Sequence, residues 1–256
     1  MVEKVRVDNI ASVGIIYRRF HPDQILIDIK DGGYPLKAFR WMLCPIGGNW
    51  IGPTARNDQN TRDTLIREMS EELSLDSRET STEDAALLGL EPEQATYVVP
   101  KKGVASTDED REKLGRLKGA FANTAEPFGD FLVNVPKSVL DRGVPDNTRP
   151  GYTSILSYWR VPVDEEDWAT LVDMHAKYGN LSVESIAVII SLEEIVTTRR
   201  HTCCGHDRIL QQWFASMGCV ETMHLPLLPD IFCAYLHQPL ASYEEYLERY
   251  EVVRHP

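Results

Sequence analysis

A helix with two chemically different faces places the strongest restriction on how this chain can fold. Asn60 or Thr61 can cap its start, and the spacing of apolar residues predicts that it runs to about residue 73. The apolar residues that repeat along one side are Leu65, Ile66, Met69 and Leu73. At about 100° per residue, Glu68 and Glu72 lie one turn apart on the other side, with Glu71 beside them. One face must therefore pack on a core while the other presents three carboxylates.

Segments typical of strands and of helices alternate on both sides of this helix. Residues rich in β-branched and aromatic types predict strands or extended segments at 10–17, 24–29, 38–43, 95–100, 131–135, 152–161 and 184–191. Helical spacing predicts further helices at 84–88, 165–178, 192–195, 206–217 and 241–250. This alternation indicates an α/β fold. Residues 101–130 are charged and hold few large apolar side chains, which predicts a loop, a lid or an insertion without regular structure.

Composition excludes several classes of protein. The 256 residues are 43% hydrophobic and 26% charged, so the chain as a whole is not disordered. Its net charge of −12 opposes general binding to nucleic acid or anionic lipid. The longest apolar run, residues 231–236, is too short to cross a bilayer, and the first residues lack the apolar core of a signal peptide. We therefore expect a cytoplasmic protein with no membrane segment, in which the five cysteines are reduced.

The three carboxylates on the helix predict a cation site. Like charges at this spacing repel one another and destabilise a helix unless a cation neutralises them. Mg²⁺ and Mn²⁺ prefer such oxygen ligands, together with water and substrate phosphates. The alternative is a charged face that contacts only solvent, which is common on amphipathic helices.

The residues upstream of the helix add to this prediction. A predicted strand ends in the glycine pair Gly47-Gly48, and a loop leads from it to the Arg-Glu-x-x-Glu-Glu motif. This order resembles the Nudix hydrolase family, whose box is written GX5EX7REUXEEXGU with U a bulky aliphatic residue. The matching residues are Gly48, Arg67, Glu68, Met69, Glu71, Glu72 and Leu75. The loop between Gly48 and Arg67 is five residues longer than the pattern, Gln59 stands where the family has glutamate, and Ser74 replaces a glycine.

The resemblance also implies a fold. Outside the box it is weak, and it includes the first strand at 10–17 and a late strand at 186–190 that turns into a helix. It implies a single domain with a Nudix-like α/β/α sandwich built on a mixed β-sheet. The domain would span residues 1–256, with a core at about 9–217, an insertion at about 101–130 and a helical C-terminal extension at about 218–256.

The resemblance assigns a role to each box residue. The implied metal ligands are Gly48 through its carbonyl, Glu68, Glu71 and Glu72. The implied catalytic residues are Arg67, which would orient a carboxylate, Glu71 as ligand or base, and a distal acid. Glu184, just before the late strand, is the first candidate for that acid, and Glu165 and Glu166 are the second choices.

The reaction implied by the resemblance is hydrolysis of a pyrophosphate linkage with Mg²⁺ or Mn²⁺. The substrate would be a small nucleoside diphosphate derivative, such as a nucleotide sugar, a dinucleotide or a nucleoside triphosphate. One alternative is a Nudix-fold protein that binds nucleotides or regulates a partner with little turnover, which Gln59 and the long loop favour. Another is an acidic interaction protein that binds no metal. Monomer and homodimer both stay open.

Two further features each have two interpretations. Trp50 lies just after the glycine pair, where it could stack on a substrate base, but tryptophan more often packs in a core. Residue types that can bind zinc also cluster near the C-terminus: His201, Cys203, Cys204, His206, Cys219 and His224. Because the spacing has no C-x2-C pair, the sequence favours reduced thiols over a zinc site there.

Overall fold

The protein was analysed as a computed structural model. It describes residues 4–52, 57–75, 104–142, 144, 147–183, 185–219 and 224–253. The predicted helix at 84–88 and strand at 95–100 lie outside the described residues. Within the described part, strands and helices alternate as the sequence predicts, and the fold is α/β with a mixed sheet.

The strands are β1 (Val5–Val7), β2 (Asn9–Arg18), β3 (His21–Ile29), β4 (Leu43–Cys44), β5 (Ile46–Asn49), β6 (Glu126–Val135), β7 (Tyr152–Val163), β8 (Ile186–Ser191), β9 (Phe232–His237) and β10 (Tyr250–Val252). The helices are α1 (Thr61–Glu72), α2 (Asp108–Thr124), α3 (Lys137–Leu140), α4 (Glu165–Tyr178), α5 (Leu192–Thr197), α6 (His206–Ser216) and α7 (Tyr243–Arg249). The predicted helix at 165–178 is confirmed with its bounds, and most other predicted elements are confirmed within a few residues.

The main sheet is built around β2. Eight strands form it in the order β4-β3-β2-β7-β6-β9, with β5 paired to β2 and β8 paired to β3. β2 and β7 run parallel, and the other pairs are antiparallel. Because β7 covers one edge of β2 over its whole length, β5 and β3 share the other edge, at residues 11–14 and 16–18. β1 and β10 form a separate parallel pair.

Helices cover both faces of the main sheet. Side chains alternate between the two faces along a strand, so neighbouring residues of β2 belong to different clusters. Ile15 packs in a cluster that includes Trp213 of α6. Ile16 packs in another cluster with Leu65 of α1 and Trp168 of α4. The sheet is therefore the middle layer of three.

The structure corrects the prediction for residues 101–130. Most of this segment is the long helix α2, which is followed directly by β6. The side chains that α2 buries are Leu114, Leu117 and Phe121, and they pack in the same cluster as α1 and α4. Their helical spacing was present in the sequence but formed only a narrow stripe among charged residues. Because this apolar stripe is buried, α2 belongs to the same helical layer as α1 and α4.

The structure also corrects the prediction of a purely helical C-terminal extension. The predicted helix at 241–250 is confirmed as α7, but β9 precedes it and pairs with β6 at the edge of the main sheet. Residues 231–236, the longest apolar run, largely coincide with this strand. The sheet therefore continues past residue 217.

A smaller correction concerns residues 38–43, which the sequence predicts to be extended. They contain a 3₁₀ turn at Lys37–Phe39 and a residue with positive φ, Trp41 at 67°, before β4 begins. The apolar side chains of this turn are buried or packed against the core without forming a strand. No helix in the described part of the chain is long and apolar enough to cross a membrane.

Candidate active site

Helix α1 lies where the two-faced pattern predicts it. The side chain of Asn60 accepts a hydrogen bond from the backbone N of Asp63 (3.0 Å), so Asn60 is the N-cap. Leu65 and Met69 are buried against the sheet. The opposite, acidic side of α1 faces β5, where the Glu68 carboxyl group lies against Gly48.

Gly47 and Gly48 each lie too close to a neighbouring group to carry a side chain. Gly47 has a φ of +155°, and a Cβ built there would overlap the backbone of Ser12 on β2. A Cβ built at Gly48 would overlap the carboxyl group of Glu68. The backbone of β5 thus lies directly against β2 on one side and against the acidic face of α1 on the other. Any side chain at position 48 would displace Glu68.

Arg67 joins three carboxylates around this contact. Its Nη1 lies 2.7 Å from Glu68 Oε1 and 3.2 Å from Glu71 Oε2, and its Nε lies 3.0 Å from Asp58 Oδ2. Burial disfavours the charge on Arg67, but Asp58 and Glu68 raise its pKa. The guanidinium therefore holds the carboxylates of α1 and of the preceding loop in fixed positions.

Asp58 is a site residue that the sequence analysis missed. Its Oδ2 accepts a hydrogen bond from Thr64 Oγ1 (2.9 Å), which in turn lies 2.6 Å from the Tyr243 hydroxyl of α7. Gln59, which stands at the pattern position, bonds the backbone oxygen of Asn57 with its side chain. The acid that pairs with Arg67 therefore lies one residue before Gln59. An acidic neighbour of Gln59 was the signal that could have identified it.

Among the acids of α1, Glu72 is the most buried, at 2% exposed, whereas the side chain of Glu71 is 39% exposed. Glu72 interacts electrostatically with two buried residues, Asp28 of β3 and Lys30 directly after that strand. Burial raises the pKa of Asp28, against the charge of Lys30 and a hydrogen bond from Ser185. Burial disfavours the charge on Lys30, but nearby anions raise its pKa. Glu72 therefore lies among buried titratable groups, of which Lys30 carries the opposite charge.

Neither Asp28 nor Lys30 was a candidate from the sequence. Both are nevertheless charged residues at the end of the apolar run 24–29, and the structure buries each to below a tenth of its surface. Burial of a charge is unusual unless the charge is paired, so charged residues inside an apolar strand were the available signal.

Glu72 and Lys30 border a cavity of about 850 Å³, a size suited to a nucleotide-sized ligand. The predicted site residues that line it are Gly48, Arg67, Glu68, Glu71 and Glu72. Lys30 and the exposed Arg149 supply positive charge to its wall. Acidic and basic groups thus meet in the same cavity, where a cation and an anionic ligand could bind together.

The donor types around Gly48 suit a hard divalent cation. Gly48, Glu68, Glu71 and Glu72 line the same cavity, and the Glu68 carboxyl group lies against the Gly48 backbone. Carboxylate, carbonyl and water oxygens are the ligands that Mg²⁺ and Mn²⁺ prefer. Glu68, Glu71, Glu72 and the Gly48 carbonyl could therefore hold such an ion.

The candidates for a distal acid have different positions. Glu184 lies outside the described residues, but its neighbours contact the site, since Val183 N donates to Glu72 O (2.9 Å) and Ser185 bonds Asp28. Glu165 pairs with Arg18 at a separate cleft, and Glu166 follows it in the first turn of α4. Glu165 therefore does not line the cavity that Gly48, Glu68, Glu71 and Glu72 border, which we call the acidic cavity.

The position of Trp50 argues against the prediction that it stacks on a substrate base. Trp50 is 5% exposed, and its ring stacks on that of Tyr243 with centroids 4.1 Å apart and planes at 8°. It does not line the acidic cavity. Trp50 therefore fits the alternative of core packing, and it fixes α7 beside the site.

Comparison with known proteins identifies no family. No protein-family model matches the chain, and no curated protein sequence matches it. Among solved structures, the chain is similar to a Nudix hydrolase from Alicyclobacillus acidocaldarius, with 11% sequence identity and a TM-score of 0.35. The match covers 77% of this chain and 83% of that protein. Its TM-score is too low to support an assignment of fold or function.

Proposed function

We propose that this protein is a Nudix-type hydrolase, with a Nudix-like α/β/α sandwich, that cleaves the pyrophosphate linkage of a nucleoside diphosphate derivative with Mg²⁺ or Mn²⁺. The observation that carries the proposal is the contact between Gly48 and the Glu68 carboxyl group. It joins the two parts of the sequence pattern that the long loop separates. Without it, the acids of α1 would be a charged helix face.

Each acid of α1 has a separate role in this proposal. Glu68, Glu72 and the Gly48 carbonyl would hold the cation, and Glu71 would act as a further ligand or as the base. Bound there, the cation would supply positive charge against the diphosphate and make water more acidic. Glu71 suits a base because it is the most exposed of the three and can reach a water in the cavity.

The basic residues would position the substrate and the acids. Arg67 keeps Glu68 and Glu71 in place through the contacts described above, so it acts on the site through the carboxylates. Arg149 lies on the cavity wall and is exposed, which suits contact with a substrate phosphate. Buried Lys30 offsets the negative charge around Glu72. A distal acid, for which Glu184 stays the first candidate, would complete the set.

The second candidate function is nucleotide binding without turnover. Gln59 and the longer loop favour it, but Asp58 supplies an acid to Arg67 one residue before the pattern position. Calorimetric titration of the full chain with ADP-ribose, with and without Mg²⁺, measures binding, and product release followed in parallel measures turnover. Our proposal predicts release that requires the cation.

The outcomes separate the three hypotheses. Tight, Mg²⁺-dependent binding with no product from a broad panel of nucleoside diphosphate derivatives would replace the enzyme with the binding protein. If Mg²⁺ does not change the melting temperature of either the parent or Glu72→Gln, the result would favour the interaction protein that binds no metal. The same panel would identify the substrate. Cytoplasmic location and the choice between monomer and homodimer stay predictions.

A further inference from the structure

Two cysteines and a histidine form a buried cluster beside the acidic cavity. The ligand atoms of Cys44, Cys203 and His206 all lie within 4.8 Å of one another. Cys44 Sγ is 3.7 Å from His206 Nε2. With Zn–S near 2.3 Å and Zn–N near 2.1 Å, tetrahedral zinc separates a sulfur ligand from a nitrogen ligand by about 3.6 Å. The cluster therefore has the spacing of a zinc site.

The backbone holds the two cysteine segments together. Leu43 N donates to His201 O (2.9 Å), and Cys203 N donates to Leu43 O (2.8 Å), so β4 and the residues before α6 are joined on both sides. A tight turn then brings His206 back toward Cys203, with His206 N bonded to Cys203 O (3.0 Å). Cys44 and Cys203 are thus neighbours because of paired backbone, which their distance in sequence conceals.

The same turn contains an uncommon backbone conformation. Cys204 has a φ of 53° and Gly205 a φ of 79°, and the left-handed region is unfavourable for a residue other than glycine. Such conformations persist where the surrounding structure requires them, and they are frequent at functional sites. Here the conformation places Cys203 and His206 on the same side of the turn.

Tyr158 orients the histidine. Its hydroxyl hydrogen-bonds His206 Nδ1, and the Tyr158 side chain is fully buried on β7. With Nδ1 occupied, Nε2 is the nitrogen that faces Cys44. Histidine ligands of metals usually have this arrangement, in which a partner on one ring nitrogen fixes the other toward the ion.

The net charge of a zinc ion with these ligands fits their burial, because Cys44, Cys203 and His206 are all buried. Thiolates are the form in which cysteine binds metals. Zinc with two thiolates and a neutral imidazole would carry no net charge, which suits a buried position.

We propose that Cys44, Cys203 and His206 bind Zn²⁺ at a site separate from the oxygen ligands of α1. Three protein ligands leave one position of a tetrahedral ion open. Cys44 and His206 both line the acidic cavity, so this position can take water or a ligand group that enters it. The inference does not depend on the proposed function, because its donors are sulfur and nitrogen.

Cys204 is the natural control for this proposal. It follows Cys203 directly, but its sulfur accepts a hydrogen bond from the Tyr152 hydroxyl (3.2 Å) and it is outside the cluster of close ligand atoms. Serine replaces cysteine with little change in size. Cys204→Ser should therefore retain the metal, whereas Cys44→Ser and Cys203→Ser should lose it.

The experiment measures metal on the full chain. Protein kept reduced is stripped with a chelator, loaded with Zn²⁺ or Co²⁺, freed of excess metal and analysed by mass spectrometry and absorbance. We expect about one zinc per chain in the parent and in Cys204→Ser. We also expect a sulfur-to-cobalt charge-transfer band that persists in Glu68→Gln. Tyr158→Phe should weaken zinc binding about 10- to 100-fold, because His206 loses its orienting partner.

Several results would overturn the proposal. One is a reduced parent that retains no zinc and gives no charge-transfer band, a result that needs no variant to fold. Another is a Cys44–Cys203 disulfide, found by peptide mapping, that forms on mild oxidation in the presence of zinc. Equal loss of metal from Cys204→Ser and Cys203→Ser would contradict the ligand set. Circular dichroism of each variant shows whether a loss reflects unfolding.

Discussion

The backbone of Gly48 lies against the carboxyl group of Glu68 so closely that no side chain fits between them. This contact joins β5 to the acidic face of α1 across the loop between them. Gly48 and the carboxylates of one helix thus line the same cavity. The proposed cation site depends on this approach.

Gly48→Ala should therefore damage the site. The added methyl group would displace Glu68 and, through it, Arg67, so we expect a strong loss of Mg²⁺-dependent turnover and a lower melting temperature. Gly115→Ala is the matched control, because a Cβ there meets no atom within 4 Å and lies on α2. It should raise the free energy of unfolding by about 0.5–1 kcal/mol. Thermal melts and turnover assays of both variants measure the difference, and equal turnover in parent and Gly48→Ala would contradict the site.

The hydroxyl of Tyr243 should contribute to the geometry of Arg67. Tyr243 bonds Thr64, which donates to Asp58, and Asp58 holds Arg67. Tyr243→Phe keeps the ring stack on Trp50 but removes the first hydrogen bond, so we expect a loss of about 1 kcal/mol in the free energy of unfolding.

Tyr235→Phe serves as the comparison for this variant, because Tyr235 is 51% exposed on β9 and its hydroxyl accepts a hydrogen bond from the exposed side chain of Gln238 (3.3 Å). Chemical denaturation of the two proteins measures the effect. A change in Tyr235→Phe as large as that in Tyr243→Phe would show that loss of any tyrosine hydroxyl has the same cost. The connection from α7 to the site would then have no support.

Asp110 should make the stability of the protein depend on pH in acid. Hydrogen bonds from Lys177, Thr107 and Tyr178 lower the pKa of Asp110, which ties the start of α2 to α4. Because the pKa is lower in the folded state, the carboxylate stabilises the fold above its unfolded value of about 3.9. This contribution is lost as pH falls from there toward the folded pKa.

Asp110→Asn should thus melt at a lower temperature than the parent at pH 7, and the difference should shrink below about pH 4. Asp108→Asn, at a fully exposed position of the same helix turn, should change the melting temperature little. Melting curves recorded across this pH range measure both. A difference between parent and Asp110→Asn that stays constant from neutral to acid pH would contradict this account.

The sequence predicted those parts of the molecule that local pattern determines. Helix α1 and its cap, which the sequence places at Asn60 or Thr61, follow from spacing and chemistry within a short segment, whereas the association of its acids with Gly48 was implied by the resemblance. Helix α2 was not predicted because its apolar stripe is narrow. Strand β9 was not predicted because its apolar run shows no alternation of apolar and polar residues.

The rest of the site could not be predicted because it depends on contacts between distant segments. Asp58 pairs with Arg67, although the resemblance implied an acid at position 59. Lys30 meets Glu72 through sheet packing, and Cys44 meets Cys203 through the backbone bonds of Leu43. Trp50 lies in the core because Tyr243, almost two hundred residues later, covers it.

The most direct test of the central claim is the rate of pyrophosphate cleavage with Mg²⁺ by the parent, Glu72→Gln and Glu112→Gln. Glu72 is buried beside the proposed cation, whereas Glu112 lies exposed on α2 in a surface pair with Arg116. On the best substrate of the nucleotide panel, we predict a loss of about a hundredfold or more for Glu72→Gln, a folded protein by circular dichroism, and an unchanged rate for Glu112→Gln. A folded Glu72→Gln that cleaves as fast as the parent would contradict the account.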